Sequence, residues 1–211
     1  GLTLGITAGA FRGKWPDRLI RTYCLVISST PVFWLALLLL LIFSVWLGWL
    51  PIGLSVPIGV EESAVTLGDR ILHAILPGLT LSITGVANIA LHTREKLVDV
   101  LESDYVLFAR ARGESGRSLV LRHGLRGVAL PALTLQFGSV GEIIGGSVLV
   151  EQVFSYPGLG QAAVTAGLGS DLPLLLGITV ITSALVFAGN LAADLLYGVV
   201  DPRIRRGGSR G

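Results

Sequence analysis

Charged residues are missing from four long stretches of this chain. No Asp, Glu, Lys or Arg occurs in 22–60, 71–93, 127–141 or 172–193. About 20 apolar residues in helix cross a hydrocarbon core of about 30 Å, and three of these stretches meet that length as they stand. The stretch 127–141 qualifies if it continues through Glu142 to about Val150. Buried helices of soluble proteins seldom run so far. Composition agrees: 52% of residues are hydrophobic and 14% charged, against about a quarter charged in soluble domains. The expected fold is all-α, a polytopic transmembrane helix bundle.

The spans are read as 23–50, 71–93, 128–150 and 172–199, with 1–10 as the remnant of one more, all in a single transmembrane domain over 1–211. The opening residues GLTLGITAGAF read as the tail of an apolar helix. SVWLGWLP ends the second segment and places Trp46 and Trp49 at an interface, where aromatic belts form. Pro51, Gly53, Pro57 and Gly59 then break the helix into a loop. The stretch EQVFSYPGLGQAAVTAGLGSD reads as a second loop, rich in glycine.

Orientation follows from Lys and Arg. Residues 12–21 hold Arg12, Lys14, Arg18 and Arg21. Residues 94–126 hold seven more, and the tail holds Arg203, Arg205, Arg206 and Arg210. The other two connections hold only Arg70. Fifteen against one puts the first set in the cytoplasm of a multi-pass protein of the inner or plasma membrane. The net charge of +2 reflects this bias and gives no sign of nucleic-acid binding.

Two spans carry candidate pathway or subunit-contact residues. Thr134, Gly138, Gly141 and Gly145 form a stripe of small residues at helical spacing. Such stripes let helices approach closely in lipid, so this one serves either packing inside the bundle or a subunit interface or pathway wall. Glu142 falls on the same half of the helix. A carboxylate at membrane depth faces protein or water, which leaves pathway lining and structural hydrogen bonding both open. The last span aligns Thr179, Ser183, Asn190, Asp194 and Tyr197 on one face, either along an aqueous path or against neighbouring helices. His73 and His92 stand at opposite ends of one span, too far apart for one site, so no metal site is expected. The single Cys24 excludes an intrachain disulfide and a cysteine cluster. No GxxxxGK[ST], HExxH, GxSxG or CxxC occurs. The residues point to a non-catalytic membrane subunit, with a transport subunit, a channel and a scaffold as the competing classes.

The long basic insert after the third segment sharpens this. DYVLFARARGES is followed by RHGLRGVALP. It resembles the cytoplasmic coupling loop of ABC-importer permeases, whose general pattern is Glu-Ala-Ala, a Gly three residues on, and an apolar-x-Leu-Pro ending. The leading Glu is absent here, and Gly113 lies farther from Pro131 than in that pattern. Both departures resemble the branch that imports dipeptides, oligopeptides and nickel, whose loop reads DYVRTARAKGLS and then RHALRNALLP. TPVFWLALLLLLIFSVWLGWLPIG, VEQVFSYPGLGQ and NLAADLLYGVVDPRIR resemble three further stretches of that branch in the same order.

The resemblance implies a bundle of the type I ABC-importer permease kind, with about four full spans present and the first helix, an outer segment and most of the second helix preceding Gly1. It implies a second homologous permease, two P-loop ATPases that carry ATP and Mg, and an extracytoplasmic binding protein in a prokaryotic inner membrane; this chain would bind no cofactor. The coupling segment would be 104–122, a short helix around Tyr105 to Leu121 seated on an ATPase. Asp104, Tyr105, Ala109, Arg110, Ala111, Gly113 and Ser115 would carry it, with the small Ala109, Ala111 and Gly113 allowing close approach. Flanking Arg residues serve either that contact or topology alone, and the insert's other option is to lie on the membrane surface. Glu151, Phe154, Pro157, Gly158 and Gly160 would form an outer-loop motif. The implied solutes are peptides or related small molecules, with a nickel or metal-chelate importer as the alternative.

Overall fold

A computed structural model describes residues 1–200. The basic residues of the tail, Arg203, Arg205, Arg206 and Arg210, lie outside them. Among the described residues the chain is all-α, with no strand. The helices are α1 Leu2–Ala10, α2 Trp15–Ser29, α3 Val32–Leu40, α4 Leu67–Leu101, α5 Asp104–Ala111, α6 Gly116–Leu119, α7 Leu125–Gly138, α8 Val140–Val153, α9 Leu159–Leu168 and α10 Leu172–Val200. Leu67–Leu101 and Leu172–Leu196 are long and apolar enough to cross a membrane, and α2 with the helix Val32–Trp46 makes a third span if that broken pair counts as one.

Four expected boundaries change. The segment 23–50 is not one helix. Pro31 lacks an N–H and pushes its predecessor out of helical geometry, and it sits extended at φ −59° and ψ 134° between α2 and α3. The span 128–150 is interrupted at Ser139, between α7 and α8. The loop after Glu151 contains a helix, α9. The basic insert is two short helices rather than one, followed by a π-helical turn over Val120–Gly124 that leads into α7.

The chain folds as two compact units. The first comprises Gly1–Ser28, Gly85–Val140 and the residues from Phe187 onward. Its centre is the second half of α4. Gly1, Gly5 and Gly9 on α1 meet Ile89, Thr93 and Leu97 on α4, each row at four-residue spacing. A Cβ on Gly5 would stand 2.5 Å from the Cβ of Thr93 and 2.6 Å from the carbonyl oxygen of Ala90, so only glycine lets the backbones come this close. Gly124 and Gly127 pack in the same way against Leu97 and Val100. Cys24, Ala87 and Ala90 form a buried cluster with Leu4, Ile20, Ile27 and Leu91 around them. Cys24 is thus a small apolar packing residue, as its position in the sequence suggests.

A buried ion pair fixes the basic end of this unit. Asp17 is 3% exposed. Its Oδ1 accepts from Arg94 Nε at 2.5 Å, and its Oδ2 accepts from Arg94 Nη2 at 2.9 Å and from the Gly13 N–H at 2.8 Å. The bidentate fork suits arginine. The backbone donor comes from the turn where Gly13 has φ +75°. Arg12 pairs with Glu102 alongside, at the surface.

The second unit comprises Ser29–Thr84 and Gly141–Val186. Leu35, Ala36, Leu39, Leu76, Val150 and Phe154 form its core. The loop after α3 is tied down by its backbone: the Leu54 N–H donates to the Phe154 carbonyl at 2.8 Å, and Ser44 Oγ donates to the Pro51 carbonyl at 3.0 Å. His73 Nδ1 lies 2.7 Å from the Gly53 carbonyl, so this histidine holds the loop. Trp46 and Trp49 remain largely exposed, consistent with an interfacial belt.

Candidate functional sites

The basic insert is built by helix-end chemistry. α5 begins with Asp104 in its first turn and carries Arg110 in its last, both matched to the helix dipole. It ends in a Schellman motif: the Gly113 N–H donates to the Arg110 carbonyl at 3.0 Å and the Glu114 N–H to the Ala109 carbonyl at 3.2 Å. Gly113 sits at φ +91°, where an L side chain is strained, and a Cβ there would meet nothing within 4 Å. Glycine is required at this position by conformation, not by close approach within the chain. Ser115 then starts α6, its Oγ accepting from the Ser118 N–H at 3.4 Å.

The two faces of α5 differ. Val106 and Ala109 turn inward and bury against Leu119, with Val100 and Leu101 around them. Ala109, expected at a docking surface, is 1% exposed and belongs to this core instead. Asp104, Arg110 and Ala111 are exposed. So are Tyr105, Leu107 and Leu121, while Phe108 reaches 70% exposure. The sequence reading passed over Leu107 and Phe108. Their signal was the period: they fall between the inward positions 106 and 109, so a helix that buries those two must expose them.

A cleft of about 370 Å³ beside this helix is lined by Tyr105, Arg122, His123 and Gly127. The Tyr105 ring meets His123 edge-on at 6.0 Å between centroids. His123 Nε2 lies 3.4 Å from Glu114 Oε2, but neither atom completes a hydrogen bond, so the contact is electrostatic at most.

The outer-loop motif proves to be a folded elbow. Glu151 near the end of α8 reaches the first turn of α9, where its Oε2 accepts the Gln161 N–H at 2.7 Å. A helix N-terminus favours a carboxylate. A Cβ on Gly158 would stand 2.2 Å from the Glu151 carboxyl carbon, and one on Gly160 2.6 Å from Val148 Cγ2. The two glycines therefore make room for the glutamate and for α8. Phe154 is 1% exposed in the core of this unit, and Pro157 is exposed just before α9.

The pathway candidates are not gathered into a site by this chain alone. Gly138 and Gly145 have nothing within 4 Å of a built Cβ, and Gly141 lies an ordinary 3.7 Å from Val186. The break at Ser139 splits the stripe between two helices, so it does not form the close-packed seam; that seam is on α1. Glu142, Asn190 and Asp194 are exposed. Along α10, Ile178, Thr182, Val186, Gly189 and Ala193 are covered or half-covered, and the neighbouring polar row of Thr179, Ser183, Asn190 and Asp194 is not. Thr179 Oγ1 donates to the Leu175 carbonyl of its own helix, at 2.8 Å.

These features define a helical membrane subunit with an ordered basic segment packed on the end of α4. The chain belongs to the family described as binding-protein-dependent transport system inner membrane component, which matches residues 1–206. It is therefore a multi-pass inner-membrane protein. It is 43% identical over 209 residues to the oligopeptide transport system permease protein AppB of Bacillus subtilis (strain 168), covering 96% of this chain and 65% of that one. It is 40% identical over 206 residues to the glutathione transport system permease protein GsiC of Escherichia coli (strain K12), covering 97% of this chain and 63% of that one. The chain thus spans somewhat under two thirds of the length of these relatives.

Proposed function

We propose that this chain is the transmembrane permease subunit of an ATP-driven importer and forms the translocation pathway for peptides or related small solutes. It works with a second homologous permease, two P-loop ATPases that bind ATP and Mg, and an extracytoplasmic binding protein. It performs no catalysis itself. The observation that carries this reading is the outward apolar face of α5, with Tyr105, Leu107 and Phe108 exposed on a short, firmly terminated helix at the basic end of the chain. Such a knob costs solubility unless a partner covers it, and an ATPase groove is the partner the family description supports. Relatives named for oligopeptide and glutathione transport favour peptides over a metal chelate, and membership of a binding-protein-dependent family disfavours an ATP-independent channel or secondary transporter.

Phe108→Asp tests the docking directly. Phe108 is 70% exposed, so the change should leave insertion of the subunit intact. The ATPases should no longer co-purify with it, and uptake in the full complex should fall at least about tenfold, the size of one lost interface anchor. Full co-purification with unchanged uptake would refute the docking role.

A further inference from the structure

Glu142 is the single charged residue between Arg126 and Glu151. It lies nine residues before Glu151 in the same helix α8, about 13 Å away along the helix axis. Glu151 marks the elbow to α9, and the stretch read as the span 128–150 puts Glu142 inside it. Its side chain is exposed, on one face with Gly145, Leu149 and Gln152. On the opposite side of α8, Gly146 and Val150 turn toward α4, and Gly141 turns toward Val186. A Cβ on Gly145 would meet nothing, so there is free space one turn from the carboxylate.

A carboxylate at this depth needs a cation or water, and its own unit supplies no cation. Arg70 is the sole Lys or Arg in 29–84 and 141–186, and it stands in the first turn of α4, exposed. His73 is committed to the Gly53 carbonyl. A second permease of the same family would keep its Lys and Arg on the cytoplasmic side by the same bias, away from this depth. A transported solute has no such restriction.

We propose that Glu142 is a binding residue of the translocation pathway that receives the primary ammonium group of the solute, as on the N-terminal residue of a peptide. This rests on the reading of the chain as a permease for peptide-class solutes. A charge-assisted N–H···O bond to the carboxylate would replace part of the water that the ammonium sheds on entry. The neighbouring glycine leaves the approach clear. The carboxylate selects by charge alone and is blind to the rest of the solute, which suits a pathway that must pass many side chains.

The test uses the complete complex in proteoliposomes, with trialanine and glutathione as probes; each has a free ammonium group. With whichever probe the wild type takes up, Glu142→Gln should lower uptake about tenfold, Glu142→Asp should restore most of it, and Gly145→Leu should lower it by blocking the approach. In a Cys24→Ala background, Glu142→Cys should react with a charged, water-soluble thiol reagent, and the probe should slow that reaction. Equal uptake by wild type and Glu142→Gln would overturn the inference. So would an unreactive Glu142→Cys, or loss of the second permease from the purified Glu142→Gln complex, since each places the carboxylate in a subunit or lipid contact. A wild-type complex that imports neither probe would instead overturn the functional reading beneath it.

Discussion

The glycines of α1 and those of α8 share a four-residue spacing, yet one row is closed and the other open. Gly1, Gly5 and Gly9 let α1 lie against α4 with no room for a methyl group. On α8, Gly145 faces empty space and Gly141 makes only ordinary contact. Small-residue spacing therefore states that close approach is possible, not that it happens. What differs is the opposing surface. α1 meets a helix whose own residues recur at the matching positions 89, 93 and 97, whereas among the described residues the α8 row meets only Val186, at Gly141 and at ordinary distance. The closed row serves the fold, and the open one is the face to which the proposed solute contact is assigned.

The comparison can be broken most severely at the ion pair beside the closed row. Arg94→Ala would leave the Asp17 carboxylate buried without its partner, a loss of about 3–5 kcal/mol. The unfolding midpoint of the purified subunit in detergent should drop accordingly. A midpoint within error of wild type would show that the basic end of α4 is not a clamp.

A matched pair of substitutions reads the two rows against each other. Gly5→Leu must push α1 off a backbone carbonyl and should cost about 1–3 kcal/mol or more. Gly145→Leu should leave the same midpoint within about 0.5 kcal/mol, because it meets open space, even though it lowers uptake. Equal destabilisation by both would mean that the α8 row is packed as tightly as the α1 row.

The smallest effect belongs to the elbow. Glu151→Ala removes the acceptor for the Gln161 N–H and should cost about 1 kcal/mol, as lost helix caps do. Limited proteolysis should then cut faster between Phe154 and α9. If Gly158→Ala has no effect in Glu151→Ala but destabilises the wild type, the glycine is there to seat the glutamate.

Part of this was legible in the order of residues. Uncharged stretches of fixed minimum length specify membrane-crossing helices because lipid excludes charge wherever it lies in the chain. The insert and the outer motif were visible as patterns, with Gly113 read as a small docking residue and Gly158 as part of the outer motif. The reasons were not. Gly113 is set by a local helix-end conformation, and Gly158 by a carboxylate seven residues earlier that the chain folds back to meet. The helix interruptions at Pro31 and Ser139 were missed because hydropathy is continuous through both.

By itself, the sequence determined the class: an all-α membrane subunit, its basic side, and a basic insert between two apolar segments. These are one-dimensional properties, since charge exclusion acts along a single stretch of about 20 residues and helix-end chemistry over a few neighbouring ones. Only the tertiary structure decided which glycine row closes, that Asp17 finds Arg94 far along the chain, and that Ala109 turns inward while Phe108 turns out. Each of these depends on which surface arrives opposite, and that is a property of the packed helices rather than of any segment alone.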